Sequence, residues 1–467
     1  VTVANSYTIT VGPLPPPLNT SLVSGAMAHM AVGDGWQSTT VLVNPRTTFA
    51  QAHVGYFLDD GSALSIPLLT SPAGTTATAS SVDQIMPAGS VLTVDSQAPP
   101  AAALAVGSAE VAADSGVSGY IRFRYDPRDQ DALVPLETRQ ASAYTLAFDN
   151  TSGIATGTAV ANLANSPATI PVVIRDASGA QIGSASISLP ARGHASFVMS
   201  DRFANTANRS GTLEFDTPMN GRISVLGMRF PPGQRFTTIP VIASTDTGGG
   251  ALAHLAVGDG WESTIELVNA GAHTAQAHLK FFADDGSGLA LQLNAGGTPA
   301  LASTIDQILA PHQRFVIAST APDSAPLQIR SAQLTTDGQV SGFIRFRYGP
   351  RDEEAIVPLQ TRNSPAYILP FDNLNGVATG VSVSNLSNAS ATIPVVIRDS
   401  IGNMIGSNRL TLAGNGHSAF VLSAQFLATG NQIGSVEFDT PAGGQISVLG
   451  IRFAPSGVFS TIPIVIP

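Results

Sequence analysis

Residues 26–44 read AMAHMAVGDGWQSTTVLVN, and residues 251–269 read ALAHLAVGDGWESTIELVN. A match of that length inside one chain is a repeat, and a repeat sets the architecture before any local propensity is weighed. The rest of the chain keeps the step. VSGYIRFRYDPRD from Val117 returns as VSGFIRFRYGPRD from Val340, ATIPVVIRD occurs unchanged at Ala168 and Ala391, and FDTP recurs at Phe215 and Phe438. Trp36 to Trp261 is a step of 225 and His194 to His417 a step of 223, so one small deletion separates two copies of a half. A weaker repeat lies inside each half. IRFRY at Ile121 and VPL at Val134 match LGMRF at Leu226 and IPV at Ile239, and IRFRY at Ile344 and VPL at Val357 match LGIRF at Leu449 and IPI at Ile462, each 105 residues on.

The units are written in strand grammar. TTVLVN, HVGYFLDD, TIPVVIRD and GRISVLGMRF alternate or run apolar and are rich in Val, Ile, Thr, Phe and Tyr, which fit a pleated, half-buried surface. Turn chemistry separates them, as in DDGS at Asp59, PAGS at Pro87, DASG at Asp176 and PARG at Pro190. With 45 Gly and 32 Pro, breakers interrupt nearly every helical period, leaving room for one helical turn near Met199 and one near Leu422.

The expectation is an all-β chain of four tandem immunoglobulin-like β-sandwich units arranged as a duplicated pair, plus an N-terminal lone strand. The boundaries are the strand at 1–12, a Pro-rich linker at 13–25, sandwiches at 26–143 and 144–243, a linker at 244–250, and sandwiches at 251–366 and 367–467. Pro135, Pro240, Pro358 and Pro463 fall in the last strand of each unit. Proline donates nothing to a ladder, so those strands are expected at sheet edges.

The opening strand, VTVANSYTITVG, puts Val3, Tyr7, Ile9 and Val11 on one face. A lone strand is not stable and must pair elsewhere. It reads either as the closing strand of a preceding domain or as a donor strand that completes a sheet in another subunit. A chain that opens on Val1 rather than methionine reads as a processed product or a fragment.

Only 12% of residues are charged, the net charge is −10, and Lys280 is the single lysine. Nucleic-acid and anionic-membrane partners need clustered Lys and Arg, so neither is expected. No apolar run approaches the length of a membrane span. The absence of cysteine excludes a disulfide framework and thiolate chemistry.

The pattern W-x-S-T-x-x-L-V-N, F-D-N-x-x-G-x-A-T-G, T-I-P-V-V-I-R-D and L-G-x-R-F resembles tandem Ig-like β-sandwich repeats of large secreted bacterial cell-surface proteins, of the kind found in soil-type bacteria. The resemblance covers essentially the whole chain. It implies an extracellular or cell-surface location and a repeat architecture, and no activity.

The nucleophile elbow G-x-S-x-G, H-E-x-x-H and the P-loop are absent, so no enzyme, cofactor or metal is expected. His29/His254, His53/His278 and His194/His417 recur as pairs without metal-ligand spacing and read as strand or turn histidines satisfied by backbone. The Asp59-Asp60-Gly61 and Asp284-Asp285-Gly286 stretches, and the trio Asp126, Asp129 and Asp131, read as hairpin turns rather than a calcium set. Arg124, Arg229, Arg347 and Arg452 recur in every unit and are expected to lie along a sheet and pair with Asp216 or Asp439. Arg122 and Arg345 occur in the first and third units alone, where the others have Gly227 and Gly450, and mark either a ligand or a contact between units. Trp36 and Trp261 are expected in core or interface packing, with a sugar platform as the competing reading.

These readings combine into an extracellular structural protein that polymerises by donating residues 1–12. The alternative is an adhesin stalk or a carbohydrate-binding, non-catalytic module with a surface glycan as partner.

Overall fold

The computed structural model describes residues 25–114, 116–233 and 235–467. The expected donor strand, with Val3, Tyr7, Ile9 and Val11, lies outside the described residues. Within them the protein is all-β, built from multiple antiparallel sheets. α-Helix is confined to the single turns Met199–Arg202 and Leu422–Gln425, where the sequence leaves room for them.

Residues 25–135 build two sheets. One runs in the order Gly25–Val32, Ala105–Ala113, Ala50–Leu58, Ser81–Met86. The other runs Gln130–Pro135, Ser118–Tyr125, Trp36–Val43, Val91–Ser96, Ile66–Ser71, Thr75–Ala79. Met27, Met30, Val54 and Val111 of the first meet Leu42, Leu68, Ile121 and Phe123 of the second in one core. Alternation along Ser118–Tyr125 does the sorting: Ile121 and Phe123 face that core, while Tyr120, Arg122 and Arg124 take the opposite face. The same two strand orders recur between Gly250 and Pro358.

Residues 143–243 build a sheet ordered Gln181–Leu189, Ala168–Asp176, Ser210–Asp216, Ala143–Asp149, Ile242–Ala243. Its companion runs His194–Val198, Ala155–Asn162, Ile223–Phe230, Thr237–Ile239. Residues 366–462 repeat this pair, with an isolated bridge from Ile368 to Val465 in place of the fifth strand. Paired sheets over a shared core are compatible with β-sandwich units.

The strands that carry or immediately precede the four prolines are Gln130–Pro135, Thr237–Ile239, Glu353–Pro358 and Phe459–Ile462, and each is the last strand of its sheet. These edges are not left open. Gln130–Pro135 packs on Thr237–Ile239, which packs on Glu353–Pro358, which packs on Phe459–Ile462, which returns to Gln130–Pro135. Thr238 Oγ1 donates to Leu133 O, and Thr461 Oγ1 donates to Ile356 O, both at 2.9 Å. Mutual cover of this kind shields edges that would otherwise be a pairing hazard.

Sandwiches strung in a row would touch only their neighbours in sequence. Here the first and last segments meet. Val41, Val43, Val91, Tyr120 and Leu133, on the outer face of the first six-stranded sheet, join a cluster with Tyr367, Leu369 and Val436. Val268, Phe343 and Ile356 join Leu146, Val172 and Phe215 in the same way.

Candidate functional site

The polar chemistry of the molecule is concentrated where segments meet, and it starts from turns. Asp59, in the DDGS turn, accepts His194 N through its main-chain O at 3.1 Å and His194 Nδ1 through Oδ1 at 2.7 Å. His194 Nε2 lies 3.5 Å from His29 Nδ1. At the matching place, Asp284 accepts His417 N at 3.1 Å and His417 Nδ1 at 3.0 Å. Of the histidines expected to be satisfied by backbone, His194 and His417 are tied in addition to a carboxylate on another segment. A carboxylate aligned on Nδ1–H fixes the tautomer and the ring orientation. Burial, and then the neighbouring His194 or His417, holds the His29 and His254 rings down at about 3.

Asp284, His417 and Ser382 fall in the order of an acyl-transfer triad, with His417 Nε2 2.6 Å from Ser382 Oγ. The surroundings are those of a joint. Ser382 is 2% exposed, and its hydroxyl also donates to Ala253 O at 2.6 Å. Its counterpart 223 residues earlier is Ala159.

The DASG turn is a second joint. Ala177 O accepts Arg314 N at 3.1 Å, and 223 residues on Ser400 O accepts Val91 N at 3.0 Å. The carboxylates weighed for calcium are engaged elsewhere. Asp60 and Asp285 accept the serine two residues on at 2.6 and 2.7 Å, as Asp176 of the DASG turn does at 2.6 Å, and Asp126, Asp129 and Asp131 are paired with arginines. Among the described residues no group of three or more His, Cys, Asp or Glu is placed to hold a metal ion.

The recurring arginines divide in two. Arg124 pairs with Asp126 at 2.8 Å and Asp129 at 2.7 Å, and Arg347 with Asp352 at 3.1 Å and Glu262 at 3.5 Å. Arg229 and Arg452 cross to another segment, reaching Glu354 at 2.9 Å and Asp131 at 2.8 Å. The expected pairing with Asp216 or Asp439 is not made. Ser210–Asp216 and Ile223–Phe230 are neighbours in sequence but belong to different sheets, so Asp216 and Arg229 face apart.

Arg122 and Arg345 sit at the same joints. Arg345 donates to Glu354 Oε2 and to Thr264 Oγ1, both at 3.1 Å. Arg122 donates to Thr39 Oγ1 at 3.3 Å. Glu354, one methylene longer than its counterpart Asp131, spans Arg229 and Arg345 together. Arg122, Arg124, Asp372 and Arg452 line a recess of about 300 Å³. Trp36 and Trp261 are half-buried. Trp36 packs, with tilted rings, 4.8 Å from Tyr125 and 5.3 Å from Phe236, and Trp261 4.9 Å from Tyr348 and 5.2 Å from Phe459. Phe236 and Phe459 come from the following segment, so each indole closes a seam. Among the described residues no helix is long and apolar enough to cross a membrane.

No protein-family model matches the chain, and no curated protein does. Among solved structures, a cycloalternan-forming enzyme from Listeria monocytogenes is similar at 11% identity, over 71% of this chain and 30% of that one, with a TM-score of 0.15. An α-L-rhamnosidase from Streptomyces avermitilis is similar at 10% identity, over 87% and 54%, with a TM-score of 0.13. Dimeric latent PorU from Porphyromonas gingivalis is similar at 8% identity, over 75% and 31%, with a TM-score of 0.12. This chain spans less than two thirds of the length of each, and likenesses at these scores carry no argument about fold or activity.

Proposed function

We propose that the chain is an extracellular structural protein, in which four immunoglobulin-like β-sandwich units, arranged as a duplicated pair, close into one subunit that self-associates by donating strand 1–12. The observation that carries this reading is the closure itself. The four proline-marked edges cover one another, and turns, histidines and arginines are engaged in joints between segments.

The edges that remain outward are a different set. It includes Gln181–Leu189 and Met404–Leu412, and also Thr75–Ala79 and Thr298–Ala302, which end the six-stranded sheets, and Ser81–Met86 and Thr304–Leu309, which end the four-stranded sheets beside them. Leu301 is 72% exposed and Ile308 62% exposed on that side. A strand with Val3, Tyr7, Ile9 and Val11 on one face suits such an edge, since added ladder bonds give affinity and alternate side chains give register.

Negative-stain electron microscopy of the full chain and of a chain lacking residues 1–12 tests the proposal. Filaments that vanish with the deletion are expected. Filaments that survive it, or single particles from the full chain at every concentration, reject strand donation.

A further inference from the structure

Two joints related by the 223-residue step have the same frame and different charge. At one, Glu354 takes Arg229 and Arg345, and Glu266 takes Arg314 at 2.8 Å. At the other, Asp131 takes Arg452, while Val41 and Val91 stand where Glu266 and Arg314 stand in the first. Two arginines are left short of acceptors. Among the described residues Arg122 hydrogen-bonds to Thr39 Oγ1 alone. The Arg452 side chain is 8% exposed, and its Nε has no hydrogen-bond partner. Burial, and after it the nearby Arg122 charge, holds the Arg452 guanidinium below its ordinary range. A buried donor without an acceptor is costly, and a second cation beside it adds to the cost.

Both arginines line the recess of about 300 Å³. Its other walls include Leu374, Val377, Ile433 and Pro455. Asp372 is its acid, with Oδ1 already accepting Leu374 N at 3.0 Å. A second recess at the same joint, about 220 Å³, has an acid near each of its arginines, with Arg46 3.7 Å from Asp114 and Arg398 3.7 Å from Glu437, whereas in the first recess Arg124 and Arg452 are ion-paired and, among the described residues, Arg122 is not.

We propose that the recess at Arg122 and Arg452 binds a small organic oxyanion, its charged head between the two guanidiniums and its carbon frame on the aliphatic wall. The planar fork of arginine matches carboxylate, sulfate and phosphate heads. The wall of Leu374, Val377, Ile433 and Pro455 selects a ligand with a carbon skeleton over a bare ion, as pockets that pair an apolar lining with a few placed polar groups do. The site is independent of strand donation and stands or falls apart from it.

The test is calorimetric titration of the full chain, at constant ionic strength, with benzoate, with neutral benzamide and with inorganic sulfate. Benzoate is expected to bind with a Kd of about 1 mM or tighter. Arg122→Gln is expected to weaken it about tenfold, the scale of a lost charged hydrogen bond. That variant leaves the Asp131–Arg452 pair in place, and an unchanged thermal midpoint confirms that it folds. Arg345→Gln, at the other joint, is expected to leave benzoate affinity unchanged. Benzamide binding as tightly as benzoate, or benzoate affinity unaltered in Arg122→Gln, overturns the proposal. So does failure of benzoate to bind, and sulfate binding as tightly as benzoate overturns the assignment of an organic ligand.

Discussion

Arg452 Nη1 lies 2.8 Å from Asp131 Oδ2, with both side chains buried and 321 residues of chain between them. The pair fastens the last segment to the first, next to the ring of covered edges. Removing one member leaves an uncompensated buried charge, which costs about 3–5 kcal/mol. Asp131→Ala is therefore expected to destabilise by that amount, while Asp126→Ala, which touches half-exposed Arg124, costs under about 1 kcal/mol. Chemical denaturation of the two variants checks the ranking, and equal losses would contradict it.

The Glu266–Arg314 pair makes a sharper case, because the chain supplies its own control. Arg314 and Glu266 meet at 2.8 Å, largely buried. At the matching places Val91 and Val41 sit in an apolar cluster with Tyr120 and Leu133. Replacing a buried ion pair by packed apolar side chains is often neutral or stabilising, whereas removing one partner is strongly destabilising. Arg314→Val alone is expected to cost about 3 kcal/mol or more, and Glu266→Val with Arg314→Val to return to within about 1 kcal/mol of the parent. A double variant as unstable as the single would show that the two joints are not interchangeable.

Much of the fold was legible because it is local. Alternation in IRFRY separates Ile121 and Phe123 from Arg122 and Arg124, and the four prolines mark a terminal strand in four of the sheets. What the edges and turns meet was not legible. Asp59–Gly61 reads as any exposed hairpin, and nothing nearby in sequence points to Ala191 or His194. The expected Arg229–Asp216 pair failed because the turn between them changes sheets, which adjacency in sequence conceals. One signal for the joints does lie in the repeat. Glu110 and Arg192, 3.3 Å apart, become Gln333 and Asn415, whose side chains also meet at 3.3 Å, and Glu266 with Arg314 answers to Val41 with Val91. Positions that change together between copies are positions that touch.

Gly61 shows how tightly a turn is seated. Its φ is +80°, and a Cβ there would stand 1.9 Å from Ala191 O of the next segment. Gly74 also has positive φ, at +67°, yet a Cβ there would meet nothing within 4 Å. Gly74→Ala is expected to cost about 1 kcal/mol, the left-handed backbone penalty alone. Gly61→Ala adds the displacement of the joint and is expected to cost at least about 2 kcal/mol more. Hydrogen exchange should quicken around His194 in Gly61→Ala and stay unchanged there in Gly74→Ala.

The joint at His254 should weaken in mild acid. His254 is half-buried, packed against the edge of Phe346 at 5.3 Å near His417, Asp284 and Arg330, and its Nδ1 has no hydrogen-bond partner. Burial, with His417 beside it, puts its folded value at about 3 against an ordinary 6.5. Above about pH 6.5 the ring is neutral in both states, and its full contribution is present. Between 6.5 and 3 the unfolded chain takes up a proton that the folded chain refuses, so stability falls as pH falls, by roughly 2 kcal/mol at pH 5. His29 titrates in the same sense, but at its joint Glu110, pushed up to about 7 by burial, holds a native-state proton over much of that window and works in opposition. Gln333 replaces Glu110 beside His254, so the acid sensitivity there is unopposed by that group. His254→Phe removes the titration and keeps a ring against Phe346. Its stability should match the parent near pH 7 and exceed it by roughly 2 kcal/mol at pH 5. Denaturation curves at the two pH values decide it, and parallel losses in parent and variant would place the acid sensitivity elsewhere.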